Sequence, residues 1–106
     1  VRKGALLARD AEATSALYAP ETLSPCTPEP SQLDLARRAL DALPFATPLL
    51  YARVDLIRAD DGSPRLLELE LVEPSVFLGY AEGAAARFAA AILERVGAHS
   101  ADQHSL

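Results

Sequence analysis

The sequence predicts an α+β domain: an antiparallel sheet built on one β-hairpin, with two helices packed against it. Three observations predict it. Asp61-Gly62 is a turn signal between two runs, Leu49–Arg58 and Pro64–Val72, in which apolar and polar residues alternate. Apolar residues recur at helical spacing over 31–43, and again over 82–96. Half of the 106 residues are hydrophobic, enough for one domain with a modest core.

Val1–Leu7, short and partly apolar with Gly4 inside it, reads as a strand that began upstream. Asp10–Pro30, with Pro20, Pro25, Pro28 and Pro30, reads as a linker that neither a helix nor a central strand can cross, and Leu17 and Tyr18 are its anchors to the body. Ser31 suits an N-cap, with Asp34 in the first turn, and Leu33, Ala36, Leu40 and Leu43 form the inward stripe of a helix that Pro44 ends. After the hairpin, Val76–Tyr80 is an apolar loop. Glu82–Val96 is then a helix with Ala85, Phe88, Ala89, Ile92 and Val96 inward and Gly97 just past its end. Residues 1–97 are thus the folded portion and 98–106 a polar tail.

A net charge of -5 with scattered basic residues argues against a nucleic-acid surface. No apolar run approaches the roughly 18 residues of a membrane span, and the N-terminus has no signal region, so a cytoplasmic location is expected. The lone Cys26 sits in the proline cluster without a nearby His and reads as an inert thiol. His99 and His104 lie five apart in the tail, and metal binding by them is not expected. The chain holds no Met, and its start, Val1-Arg2-Lys3-Gly4, leads us to expect that a larger protein has been cut.

The hairpin carries the chemistry. If Asp60 faces Ser63 across a two-residue turn, Asp55 lies opposite Glu68 and Arg53 opposite Glu70, all on one face, with the pairs Tyr51–Val72 and Ile57–Leu66 bracketing them as on the floor of a cleft. Val54, Leu56, Leu67, Leu69 and Leu71 then face the helices. Like charges about 4 Å apart repel by about 4 kcal/mol at an effective dielectric near 20, a large share of the roughly 5 to 15 kcal/mol that holds a domain together. Three readings answer that repulsion. Arg53, water or a bound proton could neutralise the acids, and residue types alone favour this plain account. A hard cation such as Mg²⁺ could bind Asp55, Glu68 and Glu70. An acid/base carboxylate pair of the glycoside-hydrolysing kind is the third, without a sugar platform to support it.

Arg53-Val54-Asp55 and Glu68-Leu69-Glu70 also resemble the Arg-x-Asp and Glu-x-Asn strands that form the metal-binding hairpin of ATP-grasp enzymes such as bacterial glutathione synthetase and D-alanine:D-alanine ligase. The thirteen-residue step from Asp55 to Glu68 is as in the D-alanine ligases. The continuation through Glu73-Pro74-Ser75 is more like the Glu-Ile-Asn-Val-Thr-Ser-Pro-Thr of glutathione synthetase, which also has a helix where Ser31–Leu43 lies. The resemblance implies the C-terminal fragment of an ATP-grasp fold, with the N-terminal part of the same protein supplying the nucleotide-binding lysines, the lid and a substrate domain.

It further implies ATP and Mg²⁺, or Mn²⁺ in its place, as cofactors. A small carboxylate would be phosphorylated to an acyl phosphate that an amine-type acceptor attacks. By position, Asp55 and Glu68 are then metal ligands and Arg53 the neutraliser of the transferring phosphoryl group. Arg2 and Lys3 approach the phosphates, and Ser75 helps to bind the acceptor. Glu70 stands where the family has Asn; it can still ligate metal but adds a charge. A Pro-rich loop replaces the glycine-rich segment of glutathione synthetase, which points away from glutathione as product. The likeness is closer to amide- or ring-forming ligases of small amino-acid metabolites, including the cyclo-ligase of cycloserine biosynthesis. A fragment of this kind is expected to be inactive alone, and the alternative is a non-catalytic binding or regulatory module that keeps the fold.

Overall fold

In the computed structural model, residues 1–4, 22–46 and 48–103 are described, the side chains of 102 and 103 excepted. Two short strands come first, β1 (Arg2–Lys3) and β2 (Leu23–Ser24), paired antiparallel as Arg2 with Ser24 and Lys3 with Leu23. The amide of Gly4 extends this ladder to the Thr22 carbonyl at 2.8 Å. Of the expected strand Val1–Leu7, Arg2–Lys3 is strand and residues 5–7 lie outside the described residues, whereas the expected linker contains a strand of its own at Leu23–Ser24. Its anchors Leu17 and Tyr18, and His104 in the tail, lie outside the described residues.

Helix α1 spans Pro30–Asp41 and so begins two residues earlier than Ser31 as a cap would allow. Glu29 is the cap. Its amide donates to Gln32 Oε1 at 2.8 Å, and its carbonyl accepts from the amides of Gln32 and Leu33. Pro30 fits the first helical position because its fixed φ is already helical and its missing N–H would have had no partner there. The half-buried face is Gln32, Leu35, Ala36, Ala39 and Leu40, which leaves Leu33 exposed, contrary to the expected stripe.

The hairpin follows as β3 (Arg53–Arg58) and β4 (Pro64–Glu70), in a second two-stranded sheet separate from β1–β2. Its loop is not the expected two residues. Ala59 N–H donates to the Ser63 carbonyl at 2.8 Å and Gly62 N–H to the Ala59 carbonyl at 2.9 Å, so Asp60, Asp61 and Gly62 form a three-residue loop. Gly62 takes the left-handed position with φ +83°, as such loops require. Asp61 Oδ1 accepts from both the amide and the hydroxyl of Ser63, at 2.9 and 2.5 Å.

Past this loop the ladder pairs Arg58 with Pro64, Ile57 with Arg65 and Leu56 with Leu66; a bulge then interrupts it, and Asp55 pairs with Glu68, Val54 with Leu69 and Arg53 with Glu70. Leu67 is the extra residue. The loop shifts the register by one and the bulge shifts it back, so the expected pairing of the acids holds while Ile57–Leu66 does not. Leu66 instead joins Leu56 on the side of α1, and Leu67 stands 55% exposed rather than packed.

A 3₁₀ turn at Leu78–Tyr80 leads into helix α2, Ala84–Gln103. Gly83 opens the helix with φ +73°, its carbonyl accepting from Arg87 N–H at 3.0 Å, while the Arg87 guanidinium donates to the Glu82 carbonyl. The helix runs through Gly97 and on past His99, so the expected stop at Gly97 is corrected and residues 98–103 continue the helix. Gly97 is a weak helix former, but it need not break a helix whose neighbours continue the ladder. The inward face is Ala84, Phe88 and Ala91 rather than the stripe through Ala89 and Val96. Phe88 meets Tyr51 edge to face at 6.2 Å, and Arg95 donates to the Pro48 carbonyl at 2.8 Å. These contacts lay α2 along the chain that enters β3.

Candidate functional site

Arg53 and Asp55 are two apart on β3 and so project from the same face, and Glu68 is directly opposite Asp55 on β4. This geometry lets one guanidinium span the strands. Arg53 Nε donates to Asp55 Oδ1 at 2.9 Å and Nη2 to Glu68 Oε2 at 3.3 Å. The two arms differ: the Asp55 side chain is 18% exposed and Glu68 51%, so the first contact is sheltered and the second is open to water. The hydrogen bond to Asp55 raises the pKa of Arg53 above its ordinary value, desolvation acts against this, and the charges of Asp55, Glu68 and Glu70 add smaller increments to the rise.

Glu70 is directly opposite Arg53 but its carboxylate turns along its own chain. Oε1 accepts from the amide of Val72 at 2.7 Å and from that of Glu73 at 3.2 Å. Those two bonds, the first foremost, lower its pKa below the usual carboxylate value, with a smaller contribution from Arg53. Beside it Tyr51 donates its hydroxyl to the Val72 carbonyl at 2.5 Å, which closes the outer end of the hairpin much as the expected Tyr51–Val72 pair would.

The inner end is open. Ile57 faces Arg65 in the ladder, so no apolar pair brackets the acids there, and with Glu68 half exposed the acids do not form the floor of a cleft. A groove between α1 and the start of β4 is lined by Ser31, Leu35, Arg38, Arg65 and Leu66, and none of the four hairpin residues takes part in it. Among the described residues, no three His, Cys, Asp or Glu side chains are arranged to hold a metal ion. What the donor set does offer is a pair of opposed oxygen ligands, Asp55 and Glu68, and two protein carboxylates completed by water and phosphate are a common Mg²⁺ arrangement.

Arg2 and Lys3 lie on β1, outside the hairpin sheet, and Lys3 Nζ stands over the Phe77 ring at 5.1 Å. Phe77 itself has φ +48°, a costly conformation for a residue with a side chain, and also meets Tyr80 edge to face at 6.2 Å. Ser75 is exposed in the segment just before it. The contact between β1 and Phe77 was not foreseen; a Lys near one end and an aromatic loop near the other leave no spacing signal.

Over 49 residues the chain is 55% identical to the cycloserine biosynthesis protein DcsG of Streptomyces lavendulae. That stretch is 46% of this chain and 16% of the other protein, so the chain spans only a small part of the relative it matches. No protein-family model matches it, and no solved structure does. Among the described residues, no helix is long and apolar enough to cross a membrane.

Proposed function

We propose that this chain is the metal- and phosphate-binding portion of an ATP-grasp ligase that joins a carboxylate to an amine through an acyl phosphate. The observation that carries the reading is the Arg53–Asp55–Glu68 cluster, in which an Arg-x-Asp strand is matched across the ladder to a Glu-x-Glu strand. The likeness to a cycloserine biosynthesis protein supports it and favours a small amino-acid metabolite as the product, formed by amide or ring closure.

In this reading Asp55 and Glu68 would hold Mg²⁺, or Mn²⁺. When bound, the metal would offset charge on the ATP phosphates. Asp55 is the sheltered member of that pair and Glu68 the one open to water. Arg53 supplies positive charge to the phosphoryl oxygens, where a planar donor fork suits their geometry. Glu70, held by the amides of Val72 and Glu73, orders the turn that leads to Ser75 and the acceptor. Arg2 and Lys3 add positive charge from β1. The nucleotide-binding lysines, lid and remaining substrate contacts belong to other parts of a longer protein, so activity requires that protein.

The test is Glu68→Gln in the longer protein. It should abolish Mg²⁺-dependent ATP consumption while circular dichroism stays that of the parent; retained consumption would overturn the assignment. One observation favours a second reading, a non-catalytic module: Arg53 pairs with both acids and so offsets part of their repulsion. That reading expects no ATP-dependent stabilisation of the longer protein.

A further inference from the structure

Asp61 is followed by Gly, as no other Asp of the chain is, and the sequence has no Asn. Gly62 carries no Cβ to crowd an approach of its backbone nitrogen to the Asp61 carboxyl carbon, and no other atom lies within 4 Å of where that Cβ would be. Both residues are exposed at the tip of the hairpin, open to water.

We infer that Asp61-Gly62 is a site of spontaneous aspartate isomerisation, restrained in the folded hairpin by the hydrogen bonds that hold its two reacting groups. The inference is independent of the ligase reading. In the reaction the Gly62 nitrogen loses its proton and bonds to Asp61 Cγ, whose hydroxyl leaves; proton and hydroxyl depart as water, and a cyclic succinimide closes. Water then adds back at either ring carbonyl. Cleavage of the Cγ–N bond restores Asp61, and cleavage of the original peptide bond leaves isoaspartate, with the chain running through Cβ and Cγ and a carboxylate on Cα.

The folded loop opposes ring closure from both ends. Gly62 N–H donates to the Ala59 carbonyl at 2.9 Å, a contact that the nitrogen must give up before it attacks. Asp61 Oδ1 accepts from the amide and the hydroxyl of Ser63, at 2.9 and 2.5 Å. These bonds, the hydroxyl's foremost, hold the Asp61 pKa below its ordinary value and keep the carboxyl ionised, whereas the neutral acid is the form that releases hydroxide readily. The restraint is local, because β3 and β4 make a sheet of two strands alone, and such a pair is marginally stable in water. The product adds one backbone carbon to the path between Ala59 and Ser63, and so loosens the closed end of the hairpin.

Peptide mapping of the longer protein after incubation at neutral pH tests this, with a protease that cleaves before Asp but not before isoaspartate; the cut before Asp60 is the internal control. Isoaspartate at 61 should accumulate several-fold faster in guanidinium chloride than in native buffer. In native buffer it should accumulate several-fold faster in Ser63→Ala than in the parent, the two matching in denaturant. Equal native rates in Ser63→Ala and the parent overturn the restraint by Ser63. Equal rates in denaturant and native buffer overturn restraint by the fold, a comparison that needs no variant and decides the matter if Ser63→Ala fails to fold. No isoaspartate at 61 even in denaturant overturns the site itself.

Discussion

Glu70 is where residue identity and geometry are most closely joined. A carboxylate that accepts from two amides is favoured in its charged form, so its folded pKa is depressed. The linkage follows from that direction. The contribution is complete above the ordinary carboxylate range and is lost as pH falls through the lowered folded value. Glu70→Ala should speed hydrogen exchange at the Val72 and Glu73 amides, and Glu70→Gln should keep most of the protection at Val72, because it retains an acceptor. Equal exchange in all three proteins would show that the bonds hold nothing. The acids themselves were legible from alternation and spacing. That Glu70 turns away from Arg53 was not, since a residue two places before a turn in the backbone looks like any strand acid until the amides beyond it are placed.

At the scale of elements, the hairpin was readable from Asp61-Gly62, but its loop and ladder were not. Two adjacent leucines, Leu66 and Leu67, satisfy the apolar pattern equally well, so the pattern cannot say which of them is the bulge. The expected register of the acids was right because two irregularities cancel. Gly62 carries one of them. No atom lies within 4 Å of where its Cβ would be, so Gly62→Ala is opposed by φ +83° alone and should cost the hairpin about 1 kcal/mol, read as a lower urea midpoint. An unchanged midpoint would mean that the loop relaxes to another form. Helix boundaries were less legible for a similar reason. Glu29, Pro30 and Ser31 all suit a helix start, and Gly97 suits a stop only where the next residues cease to be helical.

For the whole molecule, composition was a poor guide. Half the residues are apolar, yet none of the described residues is buried, and Leu66, Leu67, Val72, Leu93 and Val96 are all well exposed. The radius of gyration is 18.0 Å, against about 13 Å for a compact domain of roughly 100 residues. Hydrophobic content measures the surface available for packing and carries no information on whether this chain alone can close it. The isolated chain should therefore bind an apolar dye strongly and melt over a broad range; a sharp transition without dye binding would contradict the open arrangement. Leu67 has a wider consequence for how such a protein can vary. Were the ladder unbroken beyond the loop, Asp55 would face Leu67 and Glu68 would fall to the side of Val54. Because the correction is made next to the acids rather than at the tip, the tip at 60–62 is free to change length over generations, or to accept a grafted peptide, without moving the charged cluster.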